Sequence, residues 1–347
     1  MDGIKVFRVK MPNLPRHIPV VRGFDQFISA FLFFVRGLFI KDFDIVVVYS
    51  PPLPLALSGH ILSKIRKKPF ILNVQDLFPK SVIDLGLLKN GFLIRLMERI
   101  EAFLYKKSAV VTVHSGGNRK YVITRGGLPD KVKVIPNWVD IDFIKPGLRE
   151  NGFREEWKLG DQFVVSFAGI MGYSQDLDIV IESASKLRHH SDIKFLLVED
   201  GIEKEKLKKK AFSLNLDNVS FVPMQPREKY PLVLQASDIC LVTLKKTVLS
   251  PVVPSKLLSI MAAGRPVIAS LPLQGDVPKI IKDAQCGYCL EAGDAEGLSK
   301  AIINLYENPA LRHEFGENGR KYAEKNFSLD ICSQRYEVIF EEAISLP

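Results

Sequence analysis

The stretch Ser250–Ser270, SPVVPSKLLSIMAAGRPVIAS, decides how this chain is read. A Pro-rich loop runs into Ser255, a short apolar helix is expected over Ser255–Ala263, Gly264 stops it, and a strand follows at Pro266–Ala269. Ser255 has the chemistry of an N-cap and Gly264 that of a C-terminal stop. A helix that begins beside a loop presents amide N–H groups without intrahelical partners, and Lys256 adds a full positive charge in the first turn. Pro254, Ser255 and Lys256 therefore make a candidate anion site. The same residues also suit an ordinary α/β unit with plain caps, and the rest of the chain has to discriminate.

Outward from that segment, short continuous apolar runs alternate with helical patterns. Strands are expected at Asp44–Tyr49, Pro69–Val74, Ala109–Val113 and Val132–Ile135, then at Phe163–Ala168, Ile193–Val198, Val219–Val222, Ile239–Val242 and Gly287–Leu290. Such runs, separated by helices, indicate parallel sheets covered on both faces. The polar stretch Pro136–Glu156 interrupts the rhythm and reads as a linker. The expected fold class is α/β, with two doubly wound, Rossmann-like units at 1–150 and 151–328. A cleft is expected beyond the carboxyl ends of their strands.

A chain of 347 residues, 47% hydrophobic and 25% charged, is a globular protein with room for two cores. Residues 1–150 carry a balance of +12 and residues 151–347 one of −3. That asymmetry calls for a polyanionic partner on the first half: an anionic membrane surface, a lipid diphosphate or a nucleic acid. No aromatic stacking platform interleaves with the basic residues, which ranks nucleic acid last. Phe27–Ile40, FISAFLFFVRGLFI, is too short to span a bilayer; it reads as a core helix or as an interfacial one. Cys286 and Cys289 have CxxC spacing, but no second pair completes a zinc site. The chain is expected to be cytosolic, with no metal and no cofactor.

Several loops are candidates for the same rim. Gly169 and Gly172 follow the strand Phe163–Ala168 and allow close backbone approach to a phosphate, although the spacing is not a dinucleotide fingerprint. Asp200-Gly201 ends the next strand. Lys245 and Lys246 are helpers for Lys256 or part of a solvated loop. In the first half, Gln75-Asp76 follows the strand Pro69–Val74, and Asp76 either accepts a proton from an incoming hydroxyl or caps the next helix. Ser115, after His114, is an N-cap with room for a contact to substrate.

A collinear set of motifs runs through the chain: SPP at Ser50–Pro52, NVQDLFPKSV at Asn73–Val82, VIPNWVD at Val134–Asp140, FAGIMGYSQDLD at Phe167–Asp178, DNVSFVP at Asp217–Pro223, VPSKLLSIMAAGRPVIAS at Val253–Ser270 and GENGRKYAEKNFS at Gly316–Ser328. The set resembles the retaining glycosyltransferases of family 4, of GT-B fold, in the branch of bacterial O-antigen and capsule aminosugar transferases. The resemblance implies transfer of a sugar, UDP-linked, from a nucleotide diphosphate sugar to a lipid-linked or glycan acceptor at the inner membrane face. It implies that Gly169, Gly172 and Lys256 face the diphosphate, with N–H groups from Ser255 and Leu257. Val222, Pro223 and Met224 would lie near the base. Asp76, with Gln75 and Ser115, would face acceptor and sugar, Asn137 would sit at the hinge, and the last helix, 329–347, would pack back on the first unit.

The chain departs from that family in three places. Pro251 and Ser259 stand where many members carry a pair of Glu residues, so the ribose grip reduces to the Ser259 hydroxyl, a loss of roughly 1–3 kcal/mol. Ser174, Gln175 and Asp176 replace the basic residues that usually follow the first glycine loop, which puts more weight on Lys256. The family opens with a strand, a Gly-rich loop and a helix ahead of a strand such as Gly3–Val9. A first sheet without that opening, and with reduced activity, is therefore expected. A nucleotide-sugar epimerase or hydrolase, or a non-catalytic binding module, remain the alternatives.

Overall fold

The computed structural model of the chain describes residues 3–12 and 19–345, with residues 19–23 given by their backbone alone. The chain divides into two compact units, 1–135 with 334–347, and 136–333.

In the first unit, helix α1 (Pro19–Leu38) precedes β1 (Val46–Ser50), α2 (Leu53–Arg66), β2 (Phe70–Val74), α3 (Lys80–Asp84), α4 (Gly91–Lys107), β3 (Val110–Val113), α5 (Gly116–Thr124) and β4 (Val132–Val134). The strands are parallel and lie in the order β1-β2-β3-β4. Successive right-handed crossovers in one direction place their helices on one face. There Val48, Leu72, Val74 and Val111 pack on Leu53, Ala56, Leu104 and Val122. Alternation turns Asn73 to the other face, where its amide donates to the Tyr336 hydroxyl of the C-terminal helix. Residues 3–12 form no strand, so the strand sketched at Gly3–Val9 is absent.

Helix α1 does not bury its aromatic run, as a core helix would. Phe27 is 62% exposed and Phe31 63%, with Phe24, Phe33 and Phe39 also open. Its inner side is small where it meets α2: a methyl group at Gly37 would lie 2.6 Å from Leu62 Cδ2. The apolar composition that suggested a core thus divides between a narrow packed edge and an open aromatic face.

The second unit comprises α6 (Gly152–Glu156), β5 (Phe163–Ala168), α7 (Asp178–Lys186), β6 (Ile193–Val198), α8 (Lys204–Ser213), β7 (Val219–Val222), α9 (Tyr230–Ala236), β8 (Ile239–Thr243), α10 (Ser255–Ala262), β9 (Val267–Ser270), α11 (Asp276–Ala284), β10 (Gly287–Leu290), α12 (Ala295–Glu307) and α13 (Pro309–Phe327). The final helix, α14 (Leu329–Ile344), runs from this unit into the first. The six parallel strands lie in the order β10-β9-β8-β5-β6-β7. Winding therefore reverses between β5 and β8, and every residue of both strands is buried.

The stretch 136–156 is packed on this second unit. Arg154, only 2% exposed, donates to the carbonyls of Ala236 and Gly160, and Arg149 Nε reaches Asp238 Oδ1 at 2.8 Å. Asp238 also accepts from the Val164 amide at 2.7 Å, while Arg320 Nη1 donates to the carbonyls of Ile141, Ile144 and Ala262. Buried arginines need this many acceptors, and the polar composition that reads as a linker supplies the carbonyls.

Candidate functional site

In an open parallel sheet the carboxyl ends of the strands diverge where the winding reverses, and loops leave a crevice there. In the second unit this point lies between β5 and β8. Backbone bonds knit the neighbouring loops together: Gly169 N donates to Val198 O, Met171 N to Asp200 O, Glu199 N to Val222 O and Lys245 N to Ser174 O. Gly169 has φ +155° and Gly201 φ +152°, conformations that side chains resist. A methyl group at Gly201 would stand 2.4 Å from Met171 O, so this glycine lets the loop after β6 lie against the loop after β5. Gly172 has no comparable need: a methyl group there would meet only Ile170, at 3.8 Å.

Lys256 enters this crevice from α10. Its Nζ donates to Gln175 Oε1 at 3.0 Å and lies 3.7 Å from the centre of the Phe167 ring. A methyl group at Gly169 would be 3.2 Å from both Cε and Nζ of Lys256. The lysine therefore lies across a bare stretch of backbone. Burial pulls its pKa down to about 7, and the Glu199 carboxylate works against that fall. Burial in turn raises the Glu199 carboxyl, with Lys256 lowering it and Asp200 raising it further.

The mouth of α10 differs in detail from the sequence reading. Pro254, not Ser255, holds the N-cap position, with φ −61° and ψ 130° and no side-chain cap. Ser255 is the first helical residue and is exposed. The Leu257 N–H, expected to face a ligand, donates to Pro254 O at 3.0 Å. Among the described residues no backbone acceptor is found for the Ser255 and Lys256 N–H groups, and these two are the open donors. The far end closes as read. Gly264, at φ +66°, donates to Met261 O and Arg265 N to Ile260 O, a Schellman pair.

Other residues of the rim serve varied ends. Asp200 is exposed; its Oδ1 accepts from the Gly201 amide at 2.9 Å and lies 3.8 Å from Lys204 Nζ. Val222 is buried, with Pro223 and Met224 exposed beyond it. Ser259 is hydrogen-bonded to the Tyr230 hydroxyl, whose pKa burial pushes up to about 12. Phe167, Glu199 and Tyr230 were not singled out as site residues in the sequence, and Gln175 was noted only as standing where a basic residue is usual, because nothing in a buried strand residue or a loop Glu marks it as a neighbour of Lys256.

In the first unit Gln75 Nε2 donates to Asn73 Oδ1 at 2.7 Å, fixing the loop after β2. Asp76 is exposed and does not cap α3, whose N-cap position is Pro79. The Asp76 carboxylate instead bears on His114: burial lowers the imidazole pKa, and the Ile135 carbonyl and Asp76 oppose that. His114 Nδ1 lies 3.4 Å from Ile135 O. Its Nε2 is buried and lacks a hydrogen-bond partner among the described residues. With Nδ1 donating to the carbonyl, Nε2 is an acceptor. Ser115 caps α5, accepting from the Asn118 amide at 3.1 Å. Asn137 is half-buried at the start of the second unit.

Among the described residues no group of three or more His, Cys, Asp or Glu is placed to hold a metal. None of the four cysteines forms a disulfide. A cavity of about 610 Å³ lies elsewhere, beside Asp238 and Pro266 at the amino ends of β8 and β9. Of its arginines, Arg320 is engaged as above, Arg312 donates to the Tyr306 carbonyl, and Arg265 donates through Nη2 to the Gly147 carbonyl while its buried Nε lacks a partner among the described residues.

Comparison with known families bears on this geometry. The family model described as Glycosyl transferases group 1 matches residues 149–322, half of the chain, and Glycosyltransferase Family 4 matches residues 3–143. The chain belongs to the group 1 glycosyl transferases. "Probable glycosyltransferase WbjE" of Pseudomonas aeruginosa is 25% identical to this glycosyl transferase over 332 residues, 94% of this chain and 82% of its own. "Capsular polysaccharide biosynthesis glycosyltransferase CapM" of Staphylococcus aureus is 22% identical over 313 residues, 87% of this chain and 78% of its own. The crystal structure of Anabaena HepE in complex with UDP-glucose matches with a TM-score of 0.72 at 18% identity, over 86% of this chain and 79% of that one. At that identity the likeness concerns the fold, the GT-B pairing of two parallel-sheet α/β domains. No helix among the described residues is long and apolar enough to cross a membrane.

Proposed function

We propose that this glycosyl transferase moves a sugar from a UDP-sugar to a hydroxyl of a lipid-linked or glycan acceptor in surface polysaccharide synthesis, with retention at the anomeric carbon. The observation that carries the reading is the convergence of Lys256, the bare backbone at Gly169 and the open Ser255 and Lys256 amides at one strand-end crevice. The UDP-glucose held by HepE and the polysaccharide named for CapM support the substrate class. In the reaction the bond from the anomeric carbon to the diphosphate oxygen breaks, and the acceptor oxygen bonds to the same face of that carbon. The acceptor proton passes to the departing phosphate oxygen. Charge grows on the diphosphate, where the ammonium and two amides meet it in a water-poor site. In this reading Asp76 and the His114 Nε2 hold acceptor and sugar hydroxyls. Nothing in it requires a metal, so transfer is expected to survive EDTA.

The acceptor is read as presented at an anionic membrane surface on the cytoplasmic side. Helices α1, α2 and α4 adjoin one another, through Gly37 against Leu62 and through the His60 and Phe103 rings at 5.4 Å. Each helix bares apolar residues: Phe24, Phe27 and Phe31 on α1, Ile61 and Ile65 on α2, and Phe92, Leu96 and Phe103 on α4. On α4 these alternate with exposed Arg95, Arg99 and Lys106, while its acids turn away, Glu98 to Arg125 and Glu101 into the interior. Aromatic and basic side chains in one band suit lipid headgroups.

Turnover of UDP-sugars with and without a lipid-linked glycan tests the proposal. Acceptor-dependent transfer is expected, falling roughly 10²–10³-fold in Lys256→Ala. Release of free sugar regardless of acceptor would mark a hydrolase, and undiminished turnover in the variant would remove the cation from the mechanism.

A further inference from the structure

Five residues other than glycine have positive φ among those described, and four of them, Lys67, Lys158, Asn215 and Gln285, lie between 47° and 53°, the ordinary left-handed turn. Glu199 differs, at φ 112°, in a region where only glycine is at ease. Both its backbone groups are held there: the N–H by Val222 O at 3.1 Å, the carbonyl by Lys204 Nζ at 2.8 Å. A glycine would meet those backbone demands without strain. The glutamate side chain therefore calls for a separate account.

That side chain reaches the Lys256 crevice. A methyl group at Gly169 would lie 3.9 Å from Glu199 Oε2 and 3.2 Å from Lys256 Nζ, so carboxylate and ammonium approach the same bare backbone from two sides. No ion pair closes between them among the described residues; the direct partner of Lys256 is the neutral Gln175 amide. The surroundings offer no other strong anion. From β5 comes the Phe167 ring, and from the following loop Gln175. From α9 comes the Tyr230 hydroxyl, occupied by Ser259. From β8 comes the Cys240 thiol, held neutral with its pKa pushed up to about 11 by burial. Asp200 faces solvent and its own turn. Glu199 is thus the group that opposes neutralisation of Lys256 by burial.

We propose that Glu199 is a positioning residue, holding Lys256 as an ammonium over Gly169 so that the crevice is already cationic when a diphosphate arrives. This rests on the donor reading given above. Its consequence is conditional on pH. Without the carboxylate, the lysine loses its proton at lower pH, and an anion then finds a neutral amine. In acid the lysine is charged in either case and the loss disappears.

The test uses the full chain as Glu199→Gln and Glu199→Gly, the second being compatible with φ 112° and so protected against misfolding. UDP binding is measured by calorimetry, and the Lys256 side chain is titrated by NMR without ligand. Both variants are expected to lower the Lys256 midpoint by about one pH unit, to weaken UDP binding roughly tenfold near pH 8, and to come within about twofold of the parent near pH 6. Glu199→Gly is also expected to melt higher than the parent. An unmoved Lys256 titration overturns the proposal, as does a loss of UDP binding equal at both pH values, which would make Glu199 a direct ligand contact. If the parent chain does not bind UDP at any pH, the donor reading fails, while the lysine titration still decides the role of Glu199.

Discussion

Two residues of the second unit make separable demands. Lys256 must be protonated to meet a diphosphate, and its pKa near 7 puts that requirement inside the working range. A cationic group is present below its pKa and lost above it. kcat/KM reports the free enzyme, so it is expected to fall as pH rises through about 7, tenfold per unit beyond. Bound donor raises that pKa, so kcat should hold to higher pH; a pH profile of both constants checks this. Gly201 is a matter of shape. A side chain there meets Met171 O at 2.4 Å in a backbone conformation alien to alanine, and Gly201→Ala is expected to cost about 2–4 kcal/mol in urea denaturation. The rim glycines Gly169, Gly172 and Gly201 stand out in the sequence, but Glu199 does not. Its φ is imposed by bonds to β7 and α8, and no local pattern around a Glu-Asp-Gly turn encodes them.

Among the elements, α10 and α4 show how one helix serves fold and function on different sides. Leu257, Leu258, Ile260 and Met261 of α10 are buried, which leaves its first turn as the part open to a ligand. Helix α4 buries Leu104 and Tyr105 and turns Arg95, Arg99, Phe92 and Phe103 outward. Replacing both arginines, Arg95→Glu with Arg99→Glu, is expected to weaken binding to phosphatidylglycerol vesicles by about 1 kcal/mol per charge removed, while UDP binding stays intact. Sedimentation with charged and neutral vesicles reads the effect, and binding indifferent to vesicle charge would refute it. Strand positions were legible from continuous β-branched runs, and the ten strands read from such runs are present, while the one sketched at Gly3–Val9 is not. Helices α3, α6 and α11 were not marked out, the first two being a single turn and a half and the third carrying Pro278 in its first turn.

At the scale of the whole molecule, the chain leaves its first unit at Ile135 and re-enters it at Gln334. The return is fixed in part by Tyr336 on Asn73, a buried strand amide that also lies within the Gln75 network. Tyr336→Phe leaves that amide without its acceptor and is expected to destabilise the first unit by about 1–3 kcal/mol, seen as a shifted urea midpoint with UDP binding unchanged. The positive balance sits in the same unit as the exposed aromatic residues, so vesicle binding is also expected to weaken as salt rises.

What the sequence alone determined is periodic or covalent: strand runs, glycines at turns, the charge asymmetry, and a lysine one residue into a helix. Those features act over a few neighbours, and the physics that reads them is local. The tertiary structure decided which amides at the mouth of α10 stay open, that Pro254 rather than Ser255 takes the N-cap position, and that Glu199, His114 and Asn73 stand beside the residues already suspected. Such meetings depend on strand order and crossover direction. Side chains distant in sequence become neighbours only after the sheets are assembled, and burial then sets their charge.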